Sequence, residues 1–134
     1  MSSYLLDTTA LLAHFRQETG AERVQTLLDD EAADMYICSI SITEFARRLV
    51  SLGSEIDEAR SIALEYAGLA TSVIPVDTSL AVRAFELGSV CSERLPLADA
   101  LIASAASSHN ATLLHRDAHF DALPTALLEQ EILN

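Results

Sequence analysis

An α/β fold, with a central parallel sheet covered by helices on both faces in three α/β/α layers, is what this sequence predicts. Three observations lead there. Strand and helix candidates alternate several times, the strand candidates are short apolar runs that read as buried, and no long stretch lacks periodicity. A chain of 134 residues has room for one such core, so residues 1–134 are read as a single domain.

The elements follow in order. Tyr4 to Leu6 reads as a buried strand with Asp7 at its carboxyl end, and Thr8 and Thr9 begin a turn and a helix. After Gly20, Val24, Leu27 and Leu28 recur at helical spacing, ahead of a strand candidate at Tyr36 to Cys38. Ser39 or Ser41 is the expected cap of the next helix, with Phe45, Leu49 and Leu52 as its apolar stripe, Gly53 as its end and Glu44 in about its first turn. Ile56 to Tyr66 reads as helix, while Val73, Ile74 and Val76 around Pro75 read as an edge or terminal strand. Asp77 to Leu87 is helical, Gly88 to Arg94 is a loop, and Pro96 opens an alanine-rich helix to about His109. Thr112 to Leu114 is a further parallel strand, with His115, Arg116 and Asp117 leaving its carboxyl end. The tail from Ala126 to Leu133 fits a helix or a strand.

Composition excludes several functions. Twenty acidic residues against eight basic ones give a net charge of −12, which argues against a broad nucleic-acid-attracting surface. All eight basic residues are arginines, so no lysine is available for a P-loop or a Schiff base. Met1 to Ser3 leads into the first strand rather than into a signal core, and the apolar runs are short, which together predict a cytoplasmic protein without membrane contact. Cys38 and Cys91 are expected to be free thiols.

Four acids stand out, each with an ordinary alternative. Asp7 is placed to cap the helix that follows it, and Glu44 is placed to pair with Arg47 or Arg48 on one helix side. Asp99 lies among Ala98, Ala100, Ile102 and Ala103, although it also suits the positive end of a helix that starts near Pro96. Asp117 shares a short segment with His115, His119 and Asp121, and the two histidines have the spacing of a helical zinc-binding pair; no close cysteine pair supports zinc. Taken together, two acids follow strands and two lie near helix starts, so all four can meet at one sheet edge. Such a cluster repels itself unless divalent cations neutralise it, and oxygen donors suit Mg²⁺ or Mn²⁺. Phosphodiester hydrolysis is the matching chemistry, since a bound metal needs neither lysine nor nucleophilic serine. Thr8 is a candidate to orient a carboxylate, and Arg47, Arg48 and Arg116 are candidates to contact phosphate.

Four segments in order carry a family resemblance across nearly the whole chain: YLLDTTALLA from Tyr4, ISITEFARR from Ile40, LPLADALIASAA from Leu95 and ATLLHRDAHFDAL from Ala111. They resemble the PIN-domain nucleases, especially the VapC ribonuclease toxins of bacterial and archaeal toxin–antitoxin pairs. The resemblance implies a PIN-like fold and carries the metal-ligating acidic positions onto Asp7, Glu44, Asp99 and Asp117. His115 stands where a small polar residue is common, and Asp121 is a further acid beside the set. It also implies an RNA substrate, a small antitoxin partner, which the acidic cleft predicts to carry a basic segment, and a homodimer. The alternative is a catalytically silent PIN-like protein-binding module. Haloacid-dehalogenase phosphatases and phosphoryl-receiver domains are disfavoured, the first by Thr9 where a second aspartate belongs and both by the missing lysine.

Overall fold

In the computed structural model, which describes residues 2–134, strands β1 (Ser3–Leu6), β2 (Asp34–Cys38), β3 (Ser72–Ile74), β4 (Thr112–His115) and β5 (Gln130–Ile132) form one sheet in the order β3-β2-β1-β4-β5. Every pairing is parallel. Met1, the first residue of the segment expected to lead into the first strand, lies outside the described residues. The helices are α1 (Thr8–Phe15), α2 (Ala21–Asp29), α3 (Ser39–Ser51), α4 (Ile56–Leu69), α5 (Thr78–Ser89) and α6 (Leu97–Ser108).

Successive residues of a strand point to opposite faces. Leu5, Cys38 and Leu113 pack into one apolar cluster with α5 and α6, whereas Leu6, Ile37 and Leu114 pack into a second with α1 to α4. The sheet is therefore buried on both sides, which gives the three layers and explains why its strands are apolar runs rather than alternating ones.

The order of the strands locates the site. From β1 the chain moves outward through β2 to β3, then returns to the other side of β1 for β4 and β5. The direction of winding thus reverses between β1 and β4, and at such a reversal a crevice opens beyond the carboxyl ends of the two strands. Asp7 directly follows β1, and Asp117 lies two residues beyond the end of β4.

Several boundaries differ from the sequence reading. Helix α3 starts at Ser39 after Cys38, with no side-chain cap, so Glu44 sits in its second turn instead of its first. Leu52 leaves the apolar stripe and is 45% exposed; Ser41, Phe45 and Leu49 form the buried side, and Gly53 ends the helix at φ 110°. The expected edge strand at Pro75 ends at Ile74, one residue before the proline, and does lie at the sheet edge. The ambiguous tail becomes β5, and Leu133 just beyond it packs so closely on Gly20 that a Cβ there would meet Leu133 at 2.7 Å. Both cysteines are free, Cys38 buried and Cys91 partly so. Among the described residues no helix is long and apolar enough to cross a membrane.

Candidate metal and nuclease site

Asp7, Glu44, Asp99 and Asp117 line one cleft of about 630 Å³, together with Thr8, Thr9, Leu12, Arg47, Arg48 and Ser51. The two strand-exit acids are fixed by the backbone that follows them. Asp7 Oδ1 accepts the Ala10 N–H at 2.9 Å and so caps α1, and Asp117 Oδ1 accepts the His119 N–H at 2.9 Å at the start of a 3₁₀ helix, Ala118–Ala122. The capping role foreseen for Asp7 is real, and it leaves a second oxygen that takes no part in the cap.

Two threonines complete the frame. Thr8 Oγ1 donates to Glu44 Oε1 at 2.7 Å, and Thr9 Oγ1 donates to Asp7 Oδ1 at 2.7 Å. The Thr9 hydroxyl also accepts the Arg116 N–H at 2.8 Å, which ties the exit of β1 to the exit of β4. Glu44 pairs with neither Arg47 nor Arg48; among the described residues no arginine forms an ion pair with any of the four acids.

His115, read from the sequence as a departure near the fourth acid, turns inward and is buried. Its Nδ1 accepts the Asp117 N–H at 3.0 Å, so Nε2 carries the proton and donates to Gln130 Oε1 at 2.8 Å. Gln130 Nε2 then donates to the Phe120 carbonyl at 3.2 Å. The edge strand β5 is thereby linked through one neutral imidazole to the backbone of Asp117. Arg116 turns to Glu18, 3.8 Å away, and Asp121 is exposed beside Thr125 and Gln130 in a separate depression, so neither joins the cleft.

The residue that the sequence reading leaves without a role at the site is His119. Its spacing from His115 suits a helical pair, but His115 ends β4 while His119 lies in the 3₁₀ helix, and only His119 faces the acids. Its Nδ1 is 3.1 Å from Asp99 Oδ2 and 3.1 Å from Asp117 Oδ1. A histidine two residues after a capping aspartate is the signal that was available, because such a turn brings the side chain back over the carboxylate.

Electrostatics set this cluster apart from surface acids. Burial, then the charges of Asp117 and Asp99, raises Asp7 from 3.8 to about 7 despite hydrogen bonds from Thr9 and Ala10. Burial, followed by Asp117, raises Asp99 to about 6, against the opposing effect of His119, and Glu44 adds to the rise. The charge of Asp117, with Asp99, raises His119 above its ordinary value. His119 offsets only part of the rise at Asp99 and is not among the groups that lower Asp7, so the cluster is short of positive charge, which is the condition a bound cation relieves. The donor atoms of Asp99, Asp117 and His119 lie within 4.8 Å of one another, close enough to hold a single metal ion.

The same architecture recurs in solved structures. The chain is similar to VapBC2 from Rickettsia felis bound to a DNA fragment from their promoter, with TM-score 0.77 and 21% identity over 98% of this chain and 99% of that one. It is similar to FitAcB from Neisseria gonorrhoeae, with TM-score 0.70 and 21% identity over 98% and 96% of the two chains. A toxin–antitoxin complex from Klebsiella pneumoniae gives TM-score 0.70 and 20% identity over 98% and 96%. No curated protein sequence matches the chain. The pattern of the PIN domain matches residues 4–125, a span that includes all four acids, and the chain belongs to the PIN-domain family.

Proposed function

We propose that this protein is a metal-dependent endoribonuclease that acts as a growth-inhibiting toxin and is neutralised by a small antitoxin. The observation that carries the reading is the convergence, in one cleft, of four acids from distant parts of the chain, with no arginine among the described residues paired to any of them. Asp7, Glu44, Asp99 and Asp117 would hold Mg²⁺ or Mn²⁺. When bound, the cation supplies positive charge at the attacked phosphate and a more acidic attacking water. Thr8 and Thr9 orient the carboxylates of Glu44 and Asp7, and His115 sets the backbone of Asp117. Arg47 and Arg48 on the cleft wall give an RNA backbone a positive approach in an otherwise acidic protein.

The antitoxin reading draws on the Klebsiella match, itself a toxin–antitoxin complex, and on the molecule's own surface. An apolar groove of about 600 Å³ runs between α3 and α4, walled by Ile42, Ala46, Val50, Ile56, Ala63 and Leu64. Arg47 and Ser51 line both this groove and the acidic cleft, so the two adjoin. The occupant that fits is an amphipathic helix followed by a basic segment, the helix in the groove and an arginine of the segment against the acids. A homodimer is consistent with Val82 and Phe85, one turn apart on α5 and 54% and 77% exposed.

Asp99→Asn tests the assignment, since it keeps the side-chain volume and removes one negative ligand. Cleavage of a susceptible RNA by antitoxin-free protein across a Mn²⁺ titration is expected to fall on the order of 100-fold or more, with folding unchanged. Wild-type-like cleavage by the variant sinks the role of Asp99. Absence of metal-dependent cleavage by the wild-type protein favours the silent binding module.

A further inference from the structure

We infer that His119 is itself a metal ligand of this cleft, and that its nitrogen makes the site select first-row transition cations such as Mn²⁺ over Mg²⁺. The inference rests on the metal-dependent reading above and sharpens it, because carboxylates alone accept either ion.

The backbone fixes the arrangement. Asp117 Oδ1 accepts the His119 N–H, and the resulting turn folds the imidazole back so that Nδ1 is 3.1 Å from that same oxygen and 3.1 Å from Asp99 Oδ2. Nδ1 is within hydrogen-bond distance of Asp99 Oδ2, and Asp117 Oδ1 stands equally far from the same nitrogen, so three donor atoms from two distant segments are grouped around one point. In an octahedral site with bonds of about 2.1 Å at right angles, neighbouring donors stand about 3.0 Å apart. The two 3.1 Å separations are edges of that size.

Core packing does not set the position of the ring; its polar contacts with the two carboxylates do. The His119 side chain is 62% exposed, so it fills no core space, and its neighbours at the cleft are the two carboxylates. Asp99 is only 7% exposed and held on α6, so the ring comes to a fixed carboxylate from the rim. Asp7 and Glu44, each held by a threonine hydroxyl, leave the other side of the cleft with oxygen donors alone. A magnesium ion prefers oxygen and gives up its waters reluctantly, whereas imidazole is a better partner for first-row transition ions. One nitrogen added to an oxygen-lined cleft therefore changes which ion it favours.

The test uses the full chain, freed of antitoxin, with Mn²⁺ and Mg²⁺ as probes. Calorimetry of wild type and His119→Asn measures both affinities, and pulsed electron paramagnetic resonance of the manganese-loaded protein reports directly whether nitrogen is coordinated. The expected result is nitrogen coupling in the wild type, its loss in His119→Asn, and a fall in Mn²⁺ affinity of roughly 10-fold with Mg²⁺ affinity changed less than about 2-fold. Manganese bound without nitrogen coupling overturns the role of His119 while leaving metal-dependent cleavage standing. An equal loss of both affinities overturns the selectivity. Failure of the wild type to bind either ion overturns this inference and the metal-dependent reading together.

Discussion

Helix α3 separates two depressions of opposite character. Glu44 and Arg48 line an acidic cleft, Ile42, Ala46 and Val50 line an apolar groove closed by α4, and Arg47 and Ser51 lie on the border between the two. The groove is built from two helices adjacent in sequence, and its walls are ordinary amphipathic helix sides. The cleft needs β1, α3, α6 and the exit of β4 together, and its acids are held by hydrogen bonds from Thr8, Thr9, Ala10 and the backbone of His119. The difference teaches that the two surfaces are separable by mutation: polar geometry should govern chemistry, and apolar area should govern partner binding.

The largest separation is expected at Glu44. Glu44→Gln keeps an acceptor for Thr8 but removes a charge, so cleavage should fall by about 10- to 100-fold while thermal unfolding barely moves. Antitoxin affinity in that variant should fall less than activity, because one of the four acids facing the antitoxin's arginine loses its charge while the apolar groove is untouched, as titration calorimetry would read. Retained cleavage would place Glu44 in a purely structural contact and break the comparison on the cleft side.

On the groove side, Leu64 is 59% exposed and lines only the apolar wall. Leu64→Glu is expected to weaken antitoxin binding by about 10-fold or more, with cleavage by the free protein unaltered. Equal antitoxin affinity in wild type and variant would assign the groove to something else.

A pH experiment probes the electrostatic cost of the cleft alone. Because Asp7 titrates at about 7 when folded and near 3.8 otherwise, the metal-free native state holds the extra proton between those values. Its contribution to stability is therefore greatest at low pH and is lost as pH rises towards 7. Asp7→Asn keeps the cap on α1 and should flatten that slope, so that melting in a chelator at pH 8 occurs a few degrees above wild type. An unchanged slope would mean that the carboxyl is better solvated than its burial indicates.

The smallest effect is expected from Gln130→Ala, which removes the outer partner of His115 and the bond to the Phe120 carbonyl. Stability should drop by about 1 kcal/mol and cleavage only several-fold, since Asp117 keeps its contact with His115. A loss as large as that of Glu44→Gln would show that β5 controls the fourth acid more tightly than its position at the sheet edge suggests.

How much of this was legible beforehand can be followed residue by residue. Strands at Tyr4 to Leu6 and Thr112 to Leu114, the alanine-rich helix after Pro96 and the edge strand at Pro75 are written in local apolar runs and breakers, which act over a few residues. The four acids were legible as well, through their motifs and their places after strands or early in helices. The sequence could not reveal that Thr8 rather than an arginine would engage Glu44, because a contact across 36 residues depends on how α1 meets α3. Nor could it tell His115 from His119: one side chain points into the core and the other over the acids because a strand ends between them.

By itself, then, the sequence determined most element types, all but the tail that becomes β5, together with the parallel buried sheet, and it singled out the four acids, since periodicity and burial preference are local properties of the chain. The tertiary structure alone decided which groups share the cleft, which carboxyls are raised by burial and which histidine joins them. Those outcomes depend on distances and desolvation between distant segments, and both exist only once the winding reverses between β1 and β4.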